Sequence, residues 1–393
     1  MNLRQLFLQH NAQTSGSPLL LEIVKAEGCE LIDASGKKYI DLIGGISVAN
    51  IGHRHASVLD AIQKQLDAYL HVMVYGEFVQ SPQVQYAKAL TESLPENLNS
   101  VYFTNSGAEA VEGAMKLAKK ATGRTGIVAF NHSYHGSTQG ALSIIGNEYW
   151  RNAYRPLLPG VHHLNYNSFE DLDFITEQTA CVIAETVQAE AGIIVPQNNW
   201  LQALSKHCIE TQTLLILDEI QAGLGRTGKL WGFEHFNVTP DILLLGKALG
   251  GGMPLGAFIT SKNLMKELAD NPVLGHITTF GGHPVCCAAG FAAFNILKEE
   301  GLFNNVKAKE DLFKKLLIHP KIKSIRSFGL WMALEFNSVE ICKNIVDHCI
   351  NNGLITDWFL FAPNCLRISP PLTISNEQIK QSVRIIQAGL EAD

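Results

Sequence analysis

The chain has 393 residues, of which 46% are hydrophobic and 17% are charged, and its formal net charge is -6. This composition is typical of a compact α/β protein, and the acidic balance argues against a nucleic-acid partner. The longest mostly apolar stretch, residues 285–297, falls short of the ~20 residues of a membrane span, and the N-terminus lacks an apolar signal core. We therefore expect a cytoplasmic protein whose eight cysteines are reduced.

The first predicted element is an antiparallel hairpin, because segments 30–33 and 39–42 alternate in polarity around the turn Ser35-Gly36. From about residue 58 to 300, helix-period segments alternate with short apolar runs, which is the pattern of a mostly parallel sheet buried on both faces. The predicted strands are Val101–Thr104, Ile127–Phe130, Cys181–Ala184, Leu214–Leu217, Ile242–Leu245 and Gly256–Thr260. Ligands of such sheets bind beyond the carboxyl ends of the strands, and polar or Gly-rich residues follow most of these runs.

The pattern changes after about residue 300. The elements predicted there are a helix at 304–317, a strand at 331–336, a helix at 338–351 and a strand at 365–368. The predicted fold class is therefore α/β, with a large domain of residues 50–285 whose mostly parallel central sheet is covered by helices. Residues 1–49 and 286–393 are predicted to form a smaller α+β domain.

Three segments carry candidate chemistry. Asp218 directly follows a buried strand and needs a cation, such as a protonated pyridine nitrogen, although a helix cap or a neighbouring Arg would also satisfy it. Lys247 ends another strand beside Gly246, where a desolvated lysine can attack an aldehyde, although a lone strand-end lysine is more often a surface residue. Residues 104–107 begin a helix whose N-terminus either binds a phosphate or is ordinarily capped. Together, the anion, the amine and the phosphate cradle indicate pyridoxal phosphate (PLP).

Several motifs resemble, in wording and order, those of the class III aminotransferases of PLP fold type I, especially acetylornithine and ornithine aminotransferases. The motifs are TNSGAEAVEGAMKLA, DEIQAGLGRTG, LGKALGGGMPLGA, TTFGGHPVCCAA and LRISPPL, and the likeness runs from about residue 31 to 371. The resemblance implies that Lys247 holds PLP as a Schiff base. It also implies ping-pong transfer of an amino group from an amino acid or ω-amine to an oxo acid such as 2-oxoglutarate.

The resemblance further implies roles for individual residues. Those assigned to the cofactor are Ser106, Gly107 and Ala108 in the phosphate-binding turn, Tyr134 on the ring face, Glu185, Asp218 at the ring nitrogen and Gln221 at the ring hydroxyl. Thr279 matches a threonine that reaches the cofactor phosphate of the neighbouring subunit, so a homodimer with a shared active site is implied. Arg367 matches an arginine that binds a substrate carboxylate, and Glu190 matches the acid that can pair with it. Ser137 and Thr278 are also assigned to the substrate site.

The chain departs from the family pattern at two motif positions. The sequence HGRT of acetylornithine-specific members is His135-Gly136-Ser137-Thr138 here, so the arginine for a second carboxylate is missing and other ω-amines become candidate donors. The family motif FGGNP is FGGHP here, with His283 beside the phosphate region.

Other interpretations of the sequence stay open. The pairs His53/His55 and His132/His135 lack a carboxylate at a metal-ligand spacing, so no metal site is predicted. The enzymatic alternatives are an ω-amine:pyruvate or 4-aminobutyrate-type transaminase and a PLP aminomutase or decarboxylase. A non-catalytic PLP-fold binding protein is a further alternative, but such a protein would be expected to have lost Lys247 or Asp218.

Overall fold

A computed structural model describes residues 2–392, and its strands form three sheets. The strands are β1 (Ile23–Glu27), β2 (Glu30–Asp33), β3 (Lys38–Asp41), β4 (Ser100–Thr104), β5 (Gly126–Phe130), β6 (Val161–Leu164), β7 (Thr179–Glu185), β8 (Leu214–Asp218), β9 (Ile242–Leu245), β10 (Gly256–Thr260), β11 (Ser324–Ser327), β12 (Met332–Glu335), β13 (Leu354–Ile355), β14 (Trp358–Phe359) and β15 (Ala362–Ile368). The helices are α1 (Leu3–His10), α2 (Gly44–Ser47), α3 (Ala56–Ala68), α4 (Ser81–Thr91), α5 (Gly107–Thr122), α6 (Gln139–Ser143), α7 (Glu148–Arg151), α8 (Trp200–Glu210), α9 (Lys262–Met265), α10 (Pro284–Glu299), α11 (Val306–Leu316), α12 (Val339–Asn351) and α13 (Asn376–Ala392).

The largest sheet has seven strands in the order β4-β10-β9-β8-β7-β5-β6. Neighbours from β9 to β6 run parallel, and β10 runs antiparallel to both β9 and β4. The prediction of an α/β fold with a mostly parallel sheet is confirmed. All six strands that were predicted between residues 101 and 260 belong to this sheet. The seventh strand, β6, was not predicted. It is an edge strand of sequence VHHL, whose two histidines interrupt the apolar run on which the prediction depended.

The central strands are buried on both faces because their apolar side chains alternate between two packing layers. In β8, Ile216 packs in the layer that contains α5, whereas Leu215 and Leu217 pack in the larger core on the opposite face. Helix α10 packs against α3 and α4 in that larger core. Such two-sided burial explains the nearly continuous apolar runs in the sequence.

Two four-stranded sheets are built from the ends of the chain. The first has the order β1-β2-β3-β13, and the predicted hairpin is its antiparallel β2–β3 pair. The second has the order β11-β12-β15-β14. The domain division at 49/50 and 285/286 stays a prediction, and its second boundary falls inside α10.

Among the helices of residues 2–392, none combines the length and the apolar character needed to cross a membrane.

Candidate active site

The carboxyl ends of three adjacent central strands meet at one cavity. Glu185 ends β7, Asp218 ends β8, and Lys247 follows β9 after Gly246. The cavity has a volume of about 340 Å³. Its lining consists of Gly107, Ala108, Tyr134, His135, Gly136, Ser137, Glu185, Val187, Ala189, Glu190, Asp218, Ile220, Gln221, Ala222, Lys247 and Trp331. The fold therefore brings together most of the residues that the sequence assigned to a cofactor.

Asp218 is 5% exposed, and its partner is a histidine. The Oδ2 atom of Asp218 lies 2.7 Å from Nδ1 of the buried His135, and Oδ1 accepts a hydrogen bond from the Ile220 N–H at 2.9 Å. The other ring nitrogen of His135, Nε2, is buried and has no hydrogen-bond partner within the described chain. Nothing in the sequence pointed to the contact of His135 with Asp218.

Lys247 lies at the start of a short 3-10 segment, Lys247–Gly250, with a positive φ of 48°. Non-glycine residues rarely adopt this backbone conformation, and they do so mostly where the surrounding structure holds them. Burial lowers the pKa of the Lys247 ammonium group, and the nearby Asp218 carboxylate partly opposes that effect. At a given pH, a larger fraction of Lys247 than of an ordinary lysine is therefore the neutral amine, which is the nucleophilic form.

The first turn of α5 lines the cavity beside Gly246. Ser106 is the N-cap residue, and its side chain accepts a hydrogen bond from the Glu109 N–H. The first N–H groups of a helix have no acceptor within the helix, so this end of α5 can bind an anion. The wall admits no extra side chain, because a Cβ atom on Gly136 would lie 2.6 Å from the Cβ of Ala108.

Glu185 connects the aromatic wall of the cavity to the central sheet. One of its carboxylate oxygens accepts the Tyr134 N–H at 3.0 Å, and the other accepts the Ala189 N–H at 2.8 Å. Burial, together with the charge of Asp218, raises the pKa of Glu185 well above its ordinary value. Glu185 therefore holds backbone positions around the cavity. Gln221 also faces the cavity, and its Nε2 donates to Ser47 Oγ at 3.2 Å.

A buried ion pair closes one side of the cavity. Arg367 of β15 donates through Nη1 and Nη2 to the two carboxylate oxygens of Glu190, at 2.8 Å and 2.9 Å. Glu190 lines the cavity and Arg367 lies behind it. The Nε atom of Arg367 lies 2.9 Å from Oδ1 of Asp357, a residue that sequence analysis did not select. Burial raises the pKa of Asp357 to about 6, although Arg367 opposes the rise.

Thr278 and Thr279 lie outside this cavity in the single chain. Thr278 lines a separate pocket, and its hydroxyl accepts a hydrogen bond from the Asn105 side chain. Thr279 is exposed, as are the apolar side chains of Ile277 and Phe280 on either side of the pair. The two threonines are therefore not brought to Lys247 by the fold of one subunit.

His283, the departure from the FGGNP motif, is stacked against His71. The ring centroids are 5.3 Å apart and the rings are nearly parallel, at 9°. Burial and the neighbouring His71 lower the pKa of His283. No group of three or more His, Cys, Asp or Glu side chains that could hold a metal ion occurs in residues 2–392.

The chemistry of the cavity fits PLP. An anion-binding helix end, a buried carboxylate and a lysine amine face the same space, and these groups match a phosphate, a protonated ring nitrogen and an aldehyde. Gly136 has no side chain where it approaches Ala108, so this part of the wall leaves room for a flat ring.

Comparisons with known proteins agree with this chemistry. Residues 11–390 match the family model for class-III aminotransferases. The chain is 36% identical over 397 residues to an acetylornithine aminotransferase from Methanopyrus kandleri, and the match covers 100% of both chains. It is 29% identical to an ornithine aminotransferase from Toxoplasma gondii that has partial occupancy of PLP at its active site. That structure superposes with a TM-score of 0.91, over 99% of this chain and 93% of the other.

A third similar protein is a thermostable (S)-enantioselective omega-transaminase from Thermomicrobium roseum. It is 27% identical, with a TM-score of 0.90, and the match covers 100% of this chain and 99% of the other. The family match spans nearly the whole chain, and the cavity has the groups that PLP needs. The chain belongs to the class III aminotransferases and is a PLP-dependent transaminase.

Proposed function

We propose that this transaminase takes the amino group of an ω-amino or α-amino donor and passes it to an oxo acid such as 2-oxoglutarate. The observation that carries the proposal is the meeting of Lys247 and Asp218 at one cavity that is closed by the Glu190–Arg367 pair. The first two residues serve the cofactor, and the ion pair serves a substrate carboxylate. A small domain and a cytoplasmic location stay predictions.

PLP, when bound, supplies an aldehyde that condenses with amines and a ring that accepts electrons from the substrate carbon. Ser106, Gly107 and Ala108 would hold its phosphate at the N-terminus of α5. Asp218 would hold the ring nitrogen in its protonated form, and His135, at 2.7 Å, keeps the Asp218 carboxylate in place. The remaining contacts would be Tyr134 on the ring face and Gln221 at the ring hydroxyl, with Glu185 holding the backbone of Tyr134.

Lys247 has two tasks in this proposal. Its amine would hold the cofactor between turnovers, and when released it would carry a proton to and from the substrate carbon. The lowered pKa supports both tasks, because each requires the neutral amine.

Arg367 would bind the carboxylate of the oxo acid after Glu190 moves aside. The pair is buried, so removing Glu190 without a replacement would leave the two Nη groups of the guanidinium without an anion, at a high cost in free energy. A substrate carboxylate offers such a replacement, because it can form the same two hydrogen bonds. An amine donor that lacks a carboxylate at this end can bind with Glu190 still in place.

The donor is proposed to be an ω-amine without a second carboxylate at the position of Ser137. Among the described residues that line the cavity, Lys247 is the only cation, and Ser137 offers a hydroxyl 3.2 Å from that of Tyr134. Transaminases that use pyruvate, or donors of the 4-aminobutyrate type, stay within this proposal. Equal amounts of oxo product formed and acceptor consumed would separate them from an aminomutase or a decarboxylase.

The active site is proposed to be shared within a homodimer. Thr279 is exposed and lies outside the cavity of its own chain, so a cofactor contact by this residue requires the cavity of a second copy. Ile277 and Phe280 are 49% and 54% exposed beside it, and pairing of two chains would cover these apolar side chains. Thr278 would then lie near the substrate entrance of the partner.

The test of the assignment is Lys247→Ala, with Lys262→Ala as a control on an exposed lysine. We expect the variant to bind PLP but to lose the visible absorbance of the lysine-linked cofactor, and to lose turnover by at least ~1,000-fold. The donor is identified by assaying a panel of amines with 2-oxoglutarate and with pyruvate. Full activity of Lys247→Ala would overturn the assignment.

A further inference from the structure

The guanidinium of Arg367 is hydrogen-bonded through both Nη atoms, whereas its Nε forms an ion pair with Asp357 without hydrogen-bond geometry. Besides the two bonds to Glu190, Nη2 donates to the Trp358 carbonyl at 3.1 Å, Nε lies 2.9 Å from the Asp357 carboxylate, and the flat face lies 4.4 Å above the Phe359 ring. Arg367 is only 2% exposed. Three of the four residues that contact the guanidinium belong to the short segment 357–359, and the fourth is Glu190.

The two carboxylates differ in what they are attached to. Asp357 directly precedes β14, which pairs with the β15 strand of Arg367, and the Arg367 backbone N–H donates to the Asp357 carbonyl at 2.9 Å. Glu190 follows β7 of the central sheet, and its side chain also accepts the Leu360 N–H at 2.9 Å. Asp357 and Arg367 are therefore joined through the β14–β15 pair, whereas Glu190 lies in the loop after β7 and contacts the segment after β14 through the N–H groups of Leu360 and Phe361.

We propose that Asp357 is a positioning residue that fixes Arg367, so that Glu190 moves and the arginine stays when a substrate carboxylate enters. This inference rests on the proposed function of the Arg367 site. The Asp357 charge repels the Glu190 carboxylate and an entering carboxylate alike, so it does not favour one over the other. Its effect is to hold the guanidinium, oriented and charge-paired, during the exchange.

This arrangement makes the site selective. A donor with a bulky apolar group in place of a carboxylate gains nothing from displacing Glu190, because the fixed guanidinium would remain buried without an anion at its Nη atoms. The second substrate of the reaction is therefore an oxo acid that brings its own carboxylate to this position.

The experiment compares Asp357→Ala with the wild-type holoenzyme, with Asp347→Ala as a control on an exposed aspartate of α12. We expect Asp357→Ala to raise the KM for the oxo acid and the inhibition constant of glutarate by about tenfold, the cost of one contact to a charged group, with kcat within about twofold. Asp357→Asn keeps the shape of the side chain without its charge and should fall between the two. Because Asn changes the fold least, it also provides the test if the alanine variant does not fold.

A double-mutant cycle in kcat/KM shows whether Asp357 acts through Arg367. In an Arg367→Ala background, Asp357→Ala should have no further effect. An equal loss in both backgrounds, or a fall in kcat without a change in KM, would overturn the inference. So would an unchanged kcat/KM in both Asp357 variants. Absence of wild-type turnover with every amine and oxo acid in the panel would instead overturn the proposed function.

Discussion

The chemical behaviour of individual side chains in this cavity depends on the groups that contact them. Asp218 is a buried carboxylate whose nearest partner is a histidine ring, and Lys247 is an amine whose pKa burial lowers. At the rim the situation differs, since Ser137 is exposed, and the family resemblance implies an arginine at this position in acetylornithine-specific members. Donor choice can therefore be altered at the rim without disturbing the groups at the base of the cavity.

We predict that Ser137→Arg improves acetylornithine as a donor by at least ~10-fold in kcat/KM, because a guanidinium at the rim can form a charge-assisted pair with a carboxylate. Initial rates with acetylornithine and with a carboxylate-free amine check this. Ser137→Ala is the matched control and should leave the ratio of the two donors nearly unchanged. An equal change for both donors would show that position 137 does not contact the carboxylate.

Most of the candidate site could be predicted because its residues occur in sequence-local motifs. Asp218, Lys247 and the turn at Ser106 each stand at a strand end or a helix start, which a pattern can locate. Asp357 could not be predicted, since it lies in no motif and gains its role from Arg367 ten residues later. The pairing of His135 with Asp218 joins residues 83 positions apart, and only the sheet order brings them together.

At the scale of elements, strands were predictable where burial is two-sided. The apolar runs of β8 and β9 allow no other element of that length, whereas β6 and β1 lie at sheet edges and carry polar side chains. A sequence pattern also does not predict turns that are stabilised by a buried polar side chain. Glu219 is such a group, because it accepts hydrogen bonds from Thr186 after β7 and from the N–H groups of Gly232 and Phe233.

We predict that Glu219 makes the stability of this turn depend on pH. Burial raises its pKa from 4.5 to about 7, despite the hydrogen bonds it accepts. The folded protein therefore holds this proton more tightly than the unfolded chain, so its stabilisation is complete below about pH 4.5 and is lost as the pH rises through 7. The free energy of unfolding of Glu219→Gln, relative to wild type, should rise by roughly 3 kcal/mol between pH 5 and 8.

Urea unfolding of both proteins across this range measures the difference. Glu267→Gln, on an exposed side chain, is the control and should show a difference that hardly changes with pH. A constant difference between wild type and Glu219→Gln would mean that Glu219 does not titrate in this range.

At the scale of the whole molecule, one chain does not complete the proposed site. Thr279 and the apolar side chains beside it are exposed and lie outside the cavity of their own chain, so the proposed contact between Thr279 and the cofactor phosphate needs a second copy. Periodicity and composition do not reveal such a contact between chains, and only the resemblance of the motif around Thr279 implies it.

We predict that Thr279→Ala weakens PLP binding by ~10-fold, the cost of one charge-assisted hydrogen bond, and that light scattering finds a dimer. Mixing Thr279→Ala with Lys247→Ala subunits should restore activity at limiting PLP. Each mixed dimer then has one cavity with its own Lys247 and a wild-type threonine from the other chain. Mixtures no more active than Thr279→Ala alone, after proven subunit exchange, would show that the threonine does not act across the interface.

The placement of Asp218 and Lys247 at the ends of β8 and β9 has a consequence for heat inactivation. Both strands lie inside the seven-stranded sheet, with neighbours on each side, so neither can detach while the sheet remains intact. Local opening therefore offers no route by which the enzyme loses its catalytic groups but stays folded. While PLP and the proposed dimer are intact, activity and the native fold should disappear in the same thermal transition, and an inactive intermediate that keeps the central sheet should not accumulate on heating.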